Sequence, residues 1–370
     1  MANETLSGPQ PSTNDPSLSV ARSLDTYRLL GRSGLRVSPM ALGTMTFGTE
    51  WGWGADDAES RKLFEAYVER GGNFIDTANN YTNGTSERLV GEFARDHRDL
   101  LVIATKYTCW TRQGDPNSGG NHRKSMIASV ESSLKRLQTD YIDLLYLHVW
   151  DGTTPVEEIL RGLDDLVRSG KVLYVGISDT PAWQVSRMQA IAELRGWAPL
   201  VALQIEYSLI ERTTERDLIP MAREMGLGVL PWAPLAKGVL TGKYTRADLD
   251  HPDSTQTRKN LAAAAGVLSE RGLAIAAAVR DVAAEIGHTP SQVALAWTLL
   301  NLAVTAPIVG ARTLSQLEDN LGALEVTFTE SQRVTLERAS AIDLGFPHEL
   351  LNRPRTRGHV FDGTRLERHT

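Results

Sequence analysis

The feature that most narrows the fold is an alternation repeated along most of the chain. Eight short runs rich in apolar and β-branched residues recur: MALGTM (40–45), GNFIDTA (72–78), LLVIATKY (100–107), YIDLLYLH (141–148), VLYVGIS (172–178), PLVALQIEYS (199–208), LGVLPWAP (227–234) and VTAPIVGA (304–311). Between them lie amphipathic stretches with helical spacing, such as ESRKLFEAYVERG, RKSMIASVESSLKRLQ, PVEEILRGLDDLVRSG and ERDLIPMAREMG. Several of these end in Gly just before the next apolar run, where a helix takes a left-handed cap. The runs are continuously apolar, as strands covered on both faces of a parallel sheet must be. Eight strand–helix units favour closure into an α/β (β/α)8 barrel over an open doubly wound sheet.

The remaining segments attach to that frame. YRLLGRSGLRVSPMALG predicts a β-hairpin around Gly31-Arg32-Ser33-Gly34, placed to plug one end of the barrel. Residues 1–25 are rich in Ser, Pro, Asn and Thr without periodicity and read as a disordered extension. The barrel is expected over 26–345, followed by a tail over 346–370, with long loops on its C-terminal face. Residues 235–271 form the longest excursion between strands, and excursions of that length are usually functional. No G-x-G-x-x-G follows any strand, and GVLTGK (238–243) has one residue too few between its glycines for a phosphate loop.

Composition excludes some functions. A net charge of -6 argues against a general electrostatic footprint for nucleic acid or an anionic membrane. One cysteine, Cys109, allows no intrachain disulfide and suits a reducing compartment. Neither a secretory signal nor an apolar span of membrane length is visible, so the expectation is a soluble cytoplasmic protein. No metal site is expected, and a homo-oligomer is compatible with the sequence.

In a barrel of this kind the site lies at the C-terminal ends of the strands. Read in order, those ends carry Asp76 with Tyr81 just beyond, Lys106, His148, Ser178-Asp179, Gln204 and Trp232. Taken singly, each has an ordinary explanation: a turn aspartate, a snorkelling lysine, a structural histidine. Together they are harder to dismiss, because a lysine near the barrel axis needs a partner and Asp76 is on the adjacent strand. A phenol titrates near pH 10, and a neighbouring ammonium is expected to pull that value down. A neutral imidazole can orient a substrate oxygen. Such a cluster suits protonation of a carbonyl oxygen while a cofactor delivers hydride to its carbon.

The segments FIDTANNY, VIATKY, DYIDLLYLH, GISD, LQIEYS, GVLPWAPLAKGVLTGKY and PIVGARTLSQLEDN resemble, in order, the motifs of the aldo-keto reductase superfamily. The likeness is to a bacterial member of the branch that includes potassium-channel β-subunits and deoxysugar reductases, and runs from about Tyr27 to about Ala341. It implies a barrel that binds NADP(H) and an oxidoreductase acting on CH–OH groups, with a small carbonyl compound as its substrate. On matching positions Tyr81 is the general acid, Lys106 and Asp76 its tuning pair, and His148 the orienting group. Ser178 and Gln204 match carboxamide-holding residues, whereas Asp179 departs from the more usual Asn. Trp232 matches the aromatic that stacks on nicotinamide. Also implied at the cofactor are Gly43, Thr44, Met45, Ala233, Pro234, Leu235, Lys237, Gly238, Lys243 and Arg258. After the last strand come Gly310, Arg312, Gln316, Asp319 and Asn320. An arginine at a helix N-terminus suits a ribose 2′-phosphate and favours NADP over NAD.

Aromatic residues crowd the same face. Phe47, Trp53, Trp110 and Trp150 are the substrate candidates, with Trp51 nearby; Met45, Tyr107 and Tyr207 are ambiguous between site and packing. Three readings stay open beside a general carbonyl reductase: a reductase of nucleotide-activated keto-deoxysugars, a cofactor-binding regulatory subunit, and a barrel aldolase with Lys106 as Schiff base.

Overall fold

The computed structural model describes residues 22–250 and 258–364. Eight parallel strands form one sheet: β3 (Ala41–Gly43), β4 (Phe74–Asp76), β5 (Val102–Tyr107), β6 (Ile142–Leu147), β7 (Val172–Ser178), β8 (Leu200–Glu206), β9 (Gly228–Trp232) and β10 (Ile308–Gly310). They pair in the order β10-β3-β4-β5-β6-β7-β8-β9. Between β9 and β10 the circle is completed by a parallel bridge from Val229 to Val304, with the Thr305 N–H donating to Val229 O at 2.8 Å. The sheet is therefore a nearly closed (β/α)8 barrel, as the alternation predicts. A two-stranded antiparallel hairpin, β1 (Arg28–Leu29) with β2 (Arg36–Val37), precedes it.

The first six barrel helices follow their strands: α1 (Asp57–Glu69), α2 (Thr85–Ala94), α3 (Arg123–Leu137), α4 (Val156–Arg168), α5 (Ala182–Arg195) and α6 (Leu218–Met225). The long passage from β9 to β10 holds α7 (Ala247–Asp250), α8 (Arg258–Ala264), α9 (Glu270–Ile286) and α10 (Pro290–Leu299). Beyond β10 come α11 (Leu314–Leu321), α12 (Glu330–Ser340), α13 (His348–Asn352) and α14 (Pro354–Phe361).

Local chemistry explains these boundaries. Asp56 caps α1 by accepting the Glu59 N–H at 2.8 Å. The same helix buries Leu63, Phe64 and Tyr67 against the sheet, each worth roughly 1.5–3 kcal/mol of removed apolar surface. The Tyr67 hydroxyl does not enter that face unpaired: it donates to Met40 O at 2.7 Å. Gly226, with φ +66°, closes α6 immediately before β9.

Strand periodicity divides the core in two. Outward residues, including Ile75, Ile103, Leu145, Ile177 and Leu203, meet the helices. Inward residues, including Phe74, Val102, Ala104, Leu144, Tyr146 and Leu230, fill the barrel together with Leu30 and Val37 of the hairpin region. The hairpin thus plugs the N-terminal mouth. Its turn residue Gly31, at φ +54°, comes so close that a Cβ there would lie 2.3 Å from Val201 O. Arg28 fastens it further by donating to Val304 O at 2.8 Å.

Of the extension expected over residues 1–25, residues 1–21 lie outside the described residues. Leu24 is buried, and the Arg22 N–H donates to Leu324 O at 2.7 Å. Among the described residues, no helix is long and apolar enough to cross a membrane. Nor do three or more His, Cys, Asp or Glu side chains gather there as a metal site.

Candidate active site

The inward positions that carry apolar side chains low in the barrel carry polar ones at its C-terminal mouth. Two residues beyond Phe74 is Asp76; two beyond Ala104 is Lys106; two beyond Tyr146 is His148. The same step leads from Gly176 to Ser178 and from Ala202 to Gln204. Register sets Lys106 beside Tyr146, Ser178 beside Gln204, and Glu206 beside Trp232. Gly176 is required below this layer: a Cβ there would come within 2.6 Å of the Tyr146 ring.

Tyr81 reaches the cluster from a loop. Past Asp76 the chain continues to pair with β5, through Thr77 N–H to Ala104 O at 2.9 Å and Asn79 N–H to Lys106 O at 3.2 Å. A single 3-10 turn, Tyr81–Gly84, then holds three successive left-handed residues: Thr82, Asn83 and Gly84. Thr82 pins this turn by donating its hydroxyl to Phe47 O at 2.7 Å and accepting the Ser86 N–H.

Lys106 is completely buried, and each of its three protons has an acceptor. Its Nζ donates to Asp76 Oδ1 at 2.6 Å, to Thr77 O at 2.7 Å and to the Tyr81 hydroxyl at 3.2 Å. Asp76 accepts a second bond, on Oδ2, from Gln204 Nε2 at 2.9 Å. That amide proton, expected on a ligand's carboxamide, is thereby committed to the carboxylate. The Tyr81 ring stands edge-on between His148, at a centroid distance of 5.9 Å, and Trp51, at 6.2 Å.

Charge states follow from burial and neighbours. Burial pulls the Lys106 ammonium down, but the Asp76 carboxylate, reinforced by Tyr81, more than offsets it, and the net direction is up. His148 is lowered to about 3, by burial first and by the Lys106 charge second, so the imidazole is neutral as expected. Tyr81 overturns the expected direction. Loss of hydration outweighs the Lys106 ammonium, Asp76 adds to it, and the phenol lies above its ordinary value. It is held protonated.

Cys109 is a partner that strand-end reading did not find. Its Sγ lies 3.6 Å from His148 Nδ1, which leaves Nε2 as the imidazole atom away from that contact. Burial raises the thiol. The signal available in the sequence was its position three residues after Lys106. Trp51 is closer to the cluster than its loop position suggests: it joins Trp53, 5.8 Å away, to the Tyr81 ring.

On the opposite side of the mouth, Trp232 is tethered at its edge, where Nε1 donates to Asp179 Oδ1 at 3.0 Å. Burial raises the Asp179 carboxyl. Lys237 Nζ lies 5.1 Å from the Trp232 ring centroid and pairs with Glu206 at 2.6 Å. Ser178 Oγ is buried without a hydrogen-bond partner of normal geometry. After β9 the backbone is left-handed at Ala233, Ala236, Lys237 and Gly238. Pro234 is buried and Leu235 half-buried in this turn. The Lys243 amine lies against it, 3.1 Å from where a Gly238 Cβ would be.

The remaining cofactor candidates divide. Gly43 closes β3 in register with Asp76, Thr44 donates its hydroxyl to Asp76 O at 2.9 Å, and Met45 is exposed. Gly310 and Arg312 are exposed at the end of β10, with the Arg312 N–H donating to Gln316 Oε1 at 3.0 Å. Asp319 points elsewhere: it accepts from Thr289 and Gln292 at the N-terminus of α10. Asn320 is buried. Arg258 opens α8, and its side chain lies outside the described residues.

Phe47 requires a correction. It is completely buried, packed toward Phe93 at 6.3 Å, because the loop after β3 folds back through Ala55 N–H to Thr46 O at 2.7 Å. Tyr107 and Tyr207 are likewise packing residues of the outer core. Trp110 is 64 % exposed, and Trp150 meets Trp183 edge-on at 5.8 Å.

The chain is similar to known proteins over most of its length. The family model described as aldo/keto reductase family matches residues 39–341. A norsolorinic acid reductase of Aspergillus flavus is 38% identical over 339 residues, covering 89% of this chain and 84% of that protein. An aryl-alcohol dehydrogenase [NADP(+)] of Phanerodontia chrysosporium is 39% identical over 336 residues, 86% of each chain. With a matching model across most of its length, and relatives at this identity over nearly their whole chains, the chain belongs to the aldo/keto reductase family.

Proposed function

We propose that this protein is an NADP(H)-dependent reductase of aromatic aldehydes or aryl ketones, with Tyr81 as the general acid. The observation that carries the reading is Lys106: one buried ammonium bonds Asp76 and the Tyr81 hydroxyl at once, beside a neutral His148.

Bound NADPH would supply the hydride that reaches the carbonyl carbon. The chain supplies the rest. His148, through the ring nitrogen not facing Cys109, donates a hydrogen bond to the carbonyl oxygen and fixes its direction. Tyr81 gives that oxygen a proton, and the resulting phenolate is stabilised by Lys106, whose own charge is anchored by Asp76. Hydride plus proton yields the alcohol, and the reverse sequence oxidises it.

The residues present fit the dinucleotide. Ser178 Oγ, buried and without a hydrogen-bond partner of normal geometry, suits a carboxamide, and the free face of Trp232 suits a nicotinamide ring. The left-handed turn over Ala233–Gly238, with Lys237 and Lys243, suits a pyrophosphate. The exposed Arg312, just before α11, suits a 2′-phosphate. The aromatic preference is supported by Trp51 and Trp53 beside Tyr81, and by relatives whose names refer to an aryl alcohol and to norsolorinic acid.

The test is single-turnover oxidation of NADPH by substituted benzaldehydes, aryl ketones and aliphatic aldehydes. Tyr81→Phe is expected to keep NADPH affinity while losing turnover by a factor on the order of 10^2 or more. Wild-type turnover retained by that variant removes Tyr81 from its role. Complete inertness of the native chain toward the whole panel favours a regulatory cofactor-binding protein.

A further inference from the structure

We propose that Asp179 is a positioning residue for Trp232: its carboxylate fixes the indole plane through the N–H, and does not itself hold the cofactor's carboxamide. The inference rests on the function proposed above and concerns how this chain builds the platform for the nicotinamide.

Asp179 is a non-glycine residue at φ +38°, in the left-handed region. Its backbone is clamped from two sides: its N–H donates to Gln204 O at 3.3 Å, and its carbonyl accepts the Trp150 N–H at 3.4 Å. So held, the turn after β7 aims the carboxylate at the end of β9, two strands away, where Oδ1 takes the Trp232 indole proton at 3.0 Å. A charged acceptor makes this bond stronger and more directional than a neutral one.

The other restraints on the ring make sense of the arrangement. Glu206 is the register partner of Trp232 and holds Lys237 at 2.6 Å, which places that ammonium 5.1 Å from the ring centroid. Strand, edge and one face are thus determined, and a single face of the indole is left for a flat ligand. A carboxylate offers no proton, so it cannot serve a carboxamide oxygen as an asparagine amide does. Ser178 Oγ, buried and without a hydrogen-bond partner of normal geometry, is the hydroxyl left for that task.

The test is a double-mutant cycle on cofactor binding, with a second readout in the cofactor-free protein. NADPH dissociation constants are measured for Asp179→Ala, Asp179→Asn, Trp232→Phe and the Asp179→Ala/Trp232→Phe double variant. Indole N–H resonances are recorded without nucleotide, the Trp232 signal being the one that Trp232→Phe removes. Asp179→Ala is expected to weaken NADPH roughly 5- to 20-fold and to shift the Trp232 resonance, and Asp179→Asn, which keeps an acceptor, to stay within about 2-fold of the native chain. The double variant should bind no more weakly than Trp232→Phe alone. An Asp179→Ala loss of the same size with and without the indole proton assigns Asp179 to the ligand and overturns the proposal, as does an unmoved Trp232 resonance. If the native chain binds no NADPH, the function proposed above fails instead, and the resonance of the cofactor-free protein decides Asp179 alone.

Discussion

Toward the N-terminal end of the barrel the inward positions are Phe74, Val102, Leu144 and Ala202, closed off by Leu30 and Val37. Two to four residues further along the same strands, the inward positions are Asp76, Lys106, His148 and Gln204. The covalent pattern is the same at both ends, and the energetics are opposite. The lower layers gain stability from apolar area removed from water. The upper layer buries an ammonium and a carboxylate, which is costly and is tolerated only because each donor and acceptor has a partner at 2.6–3.2 Å. Stability and chemistry are thus stacked along one axis, with the Tyr146 ring lying over Gly176 at the boundary.

That division is most severely strained by a pair of substitutions. Lys106→Met leaves Asp76 buried with only Gln204 to bond it, and should cost about 3–5 kcal/mol of stability together with essentially all turnover. Phe74→Ala, two residues below Asp76, should cost a similar 3–5 kcal/mol by leaving a cavity. Its folded fraction should still turn over at the native rate. Urea unfolding combined with single-turnover rates at low temperature checks both; a Phe74→Ala rate as low as that of Lys106→Met would mean the two ends are not separable.

The two ends also differ in how far the sequence reveals them. Strand order, the plugging hairpin and the ends at Asp76, Lys106 and His148 follow from periodicity, because a side chain's face of a strand is set by counting residues. Residues held by loops do not follow that count. Tyr81 is placed by three left-handed residues after it, and Phe47 is turned into the core by a fold-back between Thr46 and Ala55. The contact of Asp179 with Trp232 joins residues 53 apart and has no local signature. Likewise, the upward direction of the Tyr81 phenol depends on how much water the mouth excludes. Composition carries no record of that.

A weaker effect is expected at the edge of the upper layer. Arg312 is exposed, so its proposed contact with a 2′-phosphate is screened by salt. Arg312→Ala should weaken NADPH by about tenfold, near 1.4 kcal/mol, and leave NADH nearly unaffected. Titration at low and high ionic strength sharpens the contrast, since the difference between native and variant should shrink as salt is added. Equal losses for both nucleotides would place the phosphate elsewhere.

The smallest expected effect is on catalysis in the neutral pH range, and it tests how dry the upper layer is. His148 is neutral down to about 3, and the Tyr81 phenol is raised above its ordinary value. The rate of hydride transfer should therefore be level across the neutral range, falling only at alkaline pH beyond the ordinary phenol range, as Tyr81 ionises. Stability should behave differently. The unfolded imidazole takes a proton below about 6.5 while the folded one refuses it, so stability attributable to a neutral His148 is complete above that value and declines as pH falls toward 3. His148→Asn should flatten that decline by less than one proton per molecule in the pH dependence of urea unfolding. An inflection in the hydride-transfer rate near pH 6.5 that disappears in His148→Asn would show that water reaches the imidazole, and that the mouth is less sealed than its geometry implies.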